Sequence, residues 1–322
     1  MFLKRIAVFL LGLACAWANL ASAQDWPDRP VKLVVPFPAG GAADIPARLL
    51  AEQLARIWGQ SVVVENRPGA AGALGASEVA RSAADGYTLF FPSGSVMTAN
   101  QHIYSKLAYD PDKDFVPVST VAAGPQVLVV PAKSPYRSAQ DLIAAARKSP
   151  GKLTFGHAGV GSQSQLAAES FVSAAGIDAV AVAYKGDPPA LVDLAGGVVD
   201  FCVANLAAAI SHIRSGRVRA LGVTSAASIV QLPGVPALAD TLPDFQSRGW
   251  FGVVAPAGTP AAVVRKVNDS VREALADAGL KEKLAGLGME AVGDTPEAMG
   301  SMMAQESARI ARIVTERHLA VR

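Results

Sequence analysis

A short apolar run that ends in two prolines, followed by four residues with almost no side chain, limits what this chain can fold into. Val31, Leu33, Val34 and Val35 have the β-branched content of a buried strand. Pro36 and Pro38 stop it, and Ala39, Gly40, Gly41 and Ala42 carry the backbone on with little bulk. Asp44 then reads as an N-cap, and Pro46 falls in the first helical turn, where its missing N–H costs nothing. Leu50, Leu54, Ile57 and Trp58 recur at helical spacing. The stretch is strand, bare loop, helix N-terminus. It exposes unpaired N–H groups at the positive end of a helix dipole, which suits an anion. A tight βα connection with no ligand has the same pattern.

The same alternation continues along the chain. Val62 to Glu65 reads as a strand, Asn66-Arg67-Pro68-Gly69 as a turn, Ala70 to Ser82 as a helix and Tyr87 to Phe91 as a strand. This β-α-β-α-β order predicts a parallel sheet with helices on its faces. Pro92-Ser93-Gly94-Ser95 follows a strand's carboxyl end. Tyr109 to Phe115 reads as a polar surface connection, Val116 to Val121 as a strand, and Val127 to Val130 as the start of a second series. In that series Ser138 caps a helix to Lys148. Strands follow at 153–156, 180–184, 201–203 and 219–224, with helices between them. Trp250 to Ala255 is a returning strand. Thr259 is expected to cap the helix after it, and a last helix starts at Pro296. There Met299, Met302, Met303, Ile310, Ile313 and Val314 form one stripe, with the methionines read as core filler. Two α/β series and a helical return predict two lobes, 24–125 with 248–322 and 126–247. A ligand would lie between them at strand carboxyl ends.

The 322 residues suffice for two such lobes. Lys4 and Arg5, the apolar Ile6 to Ala18 and the small Ala21-Ser22-Ala23 together read as a secretory signal peptide over 1–23, with the mature chain starting at Gln24. Removing Lys4 and Arg5 leaves 27 basic and 27 acidic residues, so bulk charge favours neither nucleic acid nor anionic lipid. Cys202 is then the one remaining cysteine, which precludes an intrachain disulfide.

Catalytic patterns are sparse. His102, His157, His212 and His318 sit in no zinc-binding spacing, and there is no G-x-S-x-G or Walker lysine. Gly159-Val160-Gly161-Ser162-Gln163-Ser164 leaves a strand and enters a helix. Ser162, Gln163 and Ser164 there can donate to an oxygen ligand, or Ser162 can serve as an ordinary cap. His157 can bond a ligand or sit capped. Lys185-Gly186-Asp187 and Asn205 follow strand ends. Asn205 reads as a cleft residue or a turn residue. Arg248 reads as a carboxylate fork or a solvated surface arginine.

Several longer stretches carry a resemblance: PFPAGGAADIPARLLAEQL at 36–54, VVVENRPGAAGALGA at 62–76, LAYDPDKDFVPV at 107–118, PGKLTFGHAGVGS at 150–162, YKGDPPAL at 184–191 and WFGVVAPAGTP at 250–260. Through them the chain resembles the Bug-type periplasmic receptors of tripartite tricarboxylate transporters, over essentially its whole mature length. The resemblance implies a two-lobed α/β Venus-flytrap fold of the type II-like periplasmic binding protein class. It implies capture of a small carboxylate without chemical change or cofactor, and delivery to transporter membrane subunits by a monomer. It places the ligand between the first loop (Phe37, Pro38, Ala39, Gly40, Gly41, Ala42, Ala43 and Asp44) and the 158–164 loop (Ala158, Gly159, Gly161, Ser162, Gln163 and Ser164). Ser93, Ser95, His157, Lys185, Asn205 and Arg248 complete the expected set. Many relatives read G-x-G-T-S-S-H in the second loop, where Ser162, Ser164 and Gln165 stand for the threonine, a serine and the histidine. Relatives often carry Asp-Asn-Leu-Pro-Ser where this chain has Ala204 to Ala208. Loss of that aspartate removes the usual partner of an ammonium group, so the expected ligand is a carboxylate without an amine, dicarboxylates included. A solute sensor would share the binding step. An exported enzyme would need a nucleophile and base in contact, and no local pair supplies them.

Overall fold

The computed structural model describes residues 26–243, 245–316 and 319–320. The predicted leader, its cleavage site and Gln24 lie outside them, as does His318. Strand β1 (Val31–Val35), helix α1 (Asp44–Trp58), β2 (Val62–Asn66), α2 (Ala73–Ala80) and β3 (Thr88–Phe90) form the expected parallel unit, with β1 between β2 and β3. Val31, Leu33 and Val35 pack with Leu50 and Leu54 of α1, and Val34 packs on the other face with Phe90. A strand covered on both faces needs a near-continuous apolar run. Two short helices follow β3, α3 (Gly94–Thr98) and α4 (Asn100–Ile103). At five and four residues they are too short to carry a helical period, and no sequence pattern predicts them.

The connection from Tyr109 to Phe115 is exposed at Asp112 and Lys113 only. Tyr109 and Phe115 are buried, with the Phe115 ring stacked on Phe90 and edge-on to Tyr109. The next strand corrects the sequence reading more deeply. The two predicted strands at 116–121 and 127–130 are one strand, β4 (Phe115–Pro131), 17 residues long. Gly124 and Pro125 suggest a break, yet the pairing continues through them.

Beyond β4 come α5 (Ala139–Lys148), β5 (Thr154–His157), α6 (Gln163–Ala175), β6 (Val180–Ala183), α7 (Asp187–Gly196), β7 (Phe201–Asn205), α8 (Leu206–Arg214) and β8 (Val218–Val223). Ser138 caps α5 in a reciprocal capping box with Asp141, as expected. The chain returns through β9 (Arg248–Pro256) and finishes with α9 (Ala261–Ala276), α10 (Ala278–Gly286), β10 (Glu290–Ala291) and α11 (Pro296–Glu316). Thr259 does not cap α9. Its hydroxyl donates to the Pro256 carbonyl at 2.7 Å, and Pro260 holds the cap position. Met299 and Met303 of α11 are buried against Trp250 and Val254, as core filler.

β9 runs antiparallel to the first part of β4, from Phe115 opposite Pro256 to Pro125 opposite Arg248. From Gln126 onward β4 pairs with β7 and β8 instead. One strand therefore belongs to two sheets, β2-β1-β3-β9-β4 on one side and β8-β4-β7-β5-β6 on the other. Each sheet has apolar layers of its own. In the second, Leu128 and Val130 face the layer of Phe155, Phe171 and Phe201, while Val127 and Val129 face that of Leu191 and Leu194.

Gly124 sits where β4 passes between the sheets. A Cβ there would lie 2.7 Å from the Gly288 carbonyl oxygen, a backbone atom that cannot turn aside. Gly124→Ala should cost about 1–3 kcal/mol by overpacking. Urea unfolding should show a lower midpoint, and an unchanged midpoint would mean that this crossing is not close-packed.

Candidate ligand-binding cleft

Five strands end at the junction of the lobes, and a helix starts after each. Their starts line one cavity. Ala42 and Ala43 precede α1, Ser93 precedes α3, Ser162 and Gln163 open α6, Gly186, Asp187 and Pro188 open α7, and Asn205 precedes α8. Phe37, Pro38, Gly41, Ala158 and Phe251 complete the wall. Clefts at the carboxyl ends of strands are where open α/β sheets place ligands, because the helix N-termini there leave N–H groups unpaired.

The first loop is held by Asp44, in a role other than the expected one. Asp44 is the first residue of α1, and Ala43 occupies the cap position without a side-chain cap bond. Asp44 Oδ2 accepts from Gly40 N–H at 2.8 Å and Arg48 Nε at 2.9 Å, and Oδ1 accepts from Asn66 Nδ2 at 2.9 Å. Asn66 Nδ2 also donates to the Phe37 carbonyl. Burial alone would raise the Asp44 pKa, but the bonds from Arg48, Gly40 and Asn66 outweigh it and hold the carboxyl below its ordinary range. The carboxylate is thus committed to the loop. Ala42 and Ala43, only 4% and 2% exposed, keep N–H groups that bond to nothing among the described residues.

In the second lobe, the loop after β5 turns through Gly159 and Gly161, both at positive φ. A Cβ on Gly161 would lie 2.7 Å from Asn100 Oδ1, so this glycine lets the lobes approach. The Tyr104 hydroxyl donates to the Val160 carbonyl at 2.6 Å across the same seam. Gln163 Nε2 donates to the Trp250 carbonyl of β9 at 2.7 Å. The backbone at Gly186 comes so near Pro38 that a Cβ would sit 3.0 Å from its ring. The lobes are therefore closed on one another.

Several expected site residues brace this loop, and all but Ser162 do so without lining the cavity. Ser162 caps α6 by accepting from Gln165 N–H at 3.2 Å, and it also lines the cavity. The Ser164 hydroxyl lies behind, accepting from Ala158 N–H at 3.0 Å. His157 is buried with Nδ1 3.0 Å from the Gly159 carbonyl oxygen. Burial pushes its pKa down against that bond, which leaves a neutral ring that shapes the turn. Ser95 sits behind Ser93, with their hydroxyls 3.0 Å apart. Ala39 and Gly40 are exposed on the outer side of the first loop, and Lys185 is exposed. Arg248 is not in the cavity either. It pairs with Glu290 in a separate groove behind the lobe crossing, with its side chain 57% exposed.

The structure brings in four residues absent from the sequence-based set: Gly186, Asp187, Pro188 and Phe251. Asp187-Pro188 before an apolar helix is a legible N-terminal signal. Nothing local marks Phe251. Asp187 also removes a premise, that the cleft lacks an anionic group once Ala204 replaces the usual aspartate. Asp187 supplies one from another loop. Its Oδ2 accepts from Asn205 Nδ2 at 3.1 Å, and it forms no ion pair among the described residues. Burial raises its pKa against hydrogen bonds from Asn205 and Ser164. Nearby, burial pushes the Cys202 thiol up to about 12, and the Asp187 charge adds to it. That cysteine is a core residue with no nucleophilic character.

A family model described as a tripartite tricarboxylate transporter family receptor matches residues 46–319. Protein BugT of Bordetella pertussis is 39% identical over 312 residues, 95% of this chain and 96% of its own. Among solved structures, Rpa4515 of R. palustris with adipate superposes with a TM-score of 0.89 at 38% identity, covering 92% of this chain and 99% of its own. MatC (Rpa3494) from Rhodopseudomonas palustris with bound malate gives 0.85 at 32% identity, covering 90% and 100%.

The two carboxylates at the cleft pull stability in opposite directions with pH. Asp187, raised above its ordinary 3.8, contributes stability that is complete below that value and is lost as pH rises through the raised pKa. Asp44, lowered, contributes stability present above 3.8 and lost as pH falls through its lowered pKa. Melting temperatures between about pH 3 and 8 should show that Asp187→Asn removes a decline above about pH 4. Asp44→Asn should cost about 1–3 kcal/mol at neutral pH through its lost charged hydrogen bonds. A wild-type slope retained in Asp187→Asn would contradict this assignment.

Proposed function

The chain belongs to the receptor family of tripartite tricarboxylate transporters, and from that premise we propose that it captures a small carboxylate between its lobes and carries it unchanged to transporter membrane subunits. The family is one of periplasmic binding proteins, and the leader-like N-terminus agrees with export to that compartment. No helix among the described residues is long and apolar enough to cross a membrane. One observation carries the proposal. The N–H groups of Ala42 and Ala43, buried and bonded to nothing among the described residues, belong to the wall of the cavity that Ser162 and Gln163 also line. A buried N–H without an acceptor costs free energy, and a carboxylate oxygen removes that cost. The adipate held by one structural neighbour and the malate held by another support the same ligand class here.

The proposed lobes are 24–125 with 248–322 and 126–247. They meet in β4 and in the segment leading to β9, so closing requires only a small rotation about two strands. Ligand that touches both walls favours the closed form by its extra contacts, and that form is the one the transporter recognises. The ligand would rest on Ala42, Ala43, Ser93, Ser162 and Gln163. Asp44, His157, Ser95 and Ser164 would hold those residues in place.

Two measurements test this reading. A thermal-shift screen of mono-, di- and tricarboxylates should return a hit, and calorimetry should place it near micromolar, about 8 kcal/mol. Mass spectrometry of the recovered ligand should find it unaltered. A chemically changed ligand would indicate catalysis. Removing the seam contact with Tyr104→Phe should weaken that hit by about fivefold, the worth of one hydrogen bond, although Tyr104 lines no part of the cavity. Unchanged affinity would show that the seam adds nothing to closure.

A further inference from the structure

The cavity has donors on one wall and acceptors on the other, and the acceptors are as poorly served as the donors. Asp187 is only 8% exposed, and its carboxylate receives hydrogen bonds from Asn205 and Ser164, both uncharged. It stands in the first turn of α7, where the helix dipole tolerates an anion but supplies no counter-charge of full size. No Lys, Arg or His among the described residues pairs with it. Beside it in the same wall, Gln163 Oε1 is buried and accepts no hydrogen bond among the described residues, while its Nε2 is fixed on Trp250. The amide cannot turn to satisfy the oxygen without losing that bond. Across the cavity stand the free N–H groups of Ala42 and Ala43.

A bare acid would satisfy the donors and bring no donor to Gln163 Oε1 or to the Asp187 carboxyl. A buried anion without a partner is retained only where something offsets its cost. We propose that Asp187 and Gln163 Oε1 read a hydrogen-bond donor on the ligand, so that the cargo is a small acid bearing a hydroxyl or ammonium group beside its carboxylate. This rests on the carboxylate reading above and narrows it. The carboxylate lies at the start of α1, and the donor points to the start of α7. Asp187 is then the specificity-determining residue, because rejection follows when its acceptor has nothing to accept.

The test uses matched acids of equal chain length: succinate, malate and aspartate, then glutarate, 2-hydroxyglutarate and glutamate, measured by calorimetry on the full mature chain. Wild-type protein should prefer a donor-bearing acid over the bare one by about tenfold or more. Asp187→Asn, close in shape and still able to bond Asn205, should compress that preference to within about threefold. The arm that loses more, hydroxyl or ammonium, identifies the donor. Bare acids bound as tightly as their donor-bearing partners by wild-type protein would overturn the proposal and leave the carboxylate reading intact. The proposal also fails if Asp187→Asn folds and keeps the preference unchanged. If the variant does not fold, the wild-type ranking alone decides. No binding of any carboxylate would overturn both readings, and the two failures are therefore distinct.

Discussion

The backbone ladder between β4 and β9 is the constraint on which the rest of the molecule depends. It runs from Phe115 opposite Pro256 to Pro125 opposite Arg248, and β4 then continues into the other sheet without a break. A strand shared by two sheets cannot shift its register in one without shifting it in the other. The two sets of strand ends therefore stay aligned across the cleft. Thr224 fastens the crossing from the second side. Its hydroxyl accepts from Gln126 N–H at 2.8 Å and donates to the Ser247 carbonyl at 2.6 Å, tying both crossing segments to β8. Gly249 lies within this group, and a Cβ there would meet Gln163, Gln126 and Asn205. Side chains from the cleft and backbone of the crossing thus pack on one glycine, so the cavity wall and the crossing share atoms.

Given that alignment, the electrostatics of the cleft follow from helix starts. Unpaired N–H groups collect where the helices begin, and each start is dealt with differently. At α1 the Asp44 carboxylate draws in Gly40 and leaves Ala42 and Ala43 free. At α6 the Ser162 hydroxyl serves Gln165, and at α7 a buried Asp187 stands in the first turn. The same residue type thus has opposite effects in two places. Asp44 is surrounded by an arginine, an amide and a backbone donor, and its ionised form is favoured. Asp187 has only neutral donors and deep burial, and its ionised form is disfavoured. Environment decides the sign, since desolvation and hydrogen bonding oppose each other and the balance differs between the sites.

Much of this is legible in the chain. The β-α-β series, the capping box at Ser138, the bare loop at 39–42 and the methionine stripe of α11 are local patterns, set by periodicity and by residues of known turn chemistry. The failures are physical too. Asp44 fits the cap rule but lies one residue inside the helix, because its carboxylate reaches back to Gly40 and across to Asn66, a partner 22 positions away. Tyr109 sits in a run of charges and is still buried, since its hydroxyl finds the Val96 carbonyl. Arg248 has the chemistry of a carboxylate fork, and Glu290, 42 positions away, takes its charge on the far side of the crossing.

The sequence by itself determined most of the longer elements, their alternation, the family resemblance and which loops are bare enough to receive a ligand, because those depend on neighbours within a few positions. Only the tertiary structure decided that β4 is one strand in two sheets, that the lobes close with Tyr104 on Val160, and that Asp187 and Phe251 face the cavity while His157, Ser164 and Arg248 do not. Those outcomes depend on which strands pair across more than a hundred residues. The direction of a side chain at a strand or helix end follows from that pairing, and no local pattern encodes it.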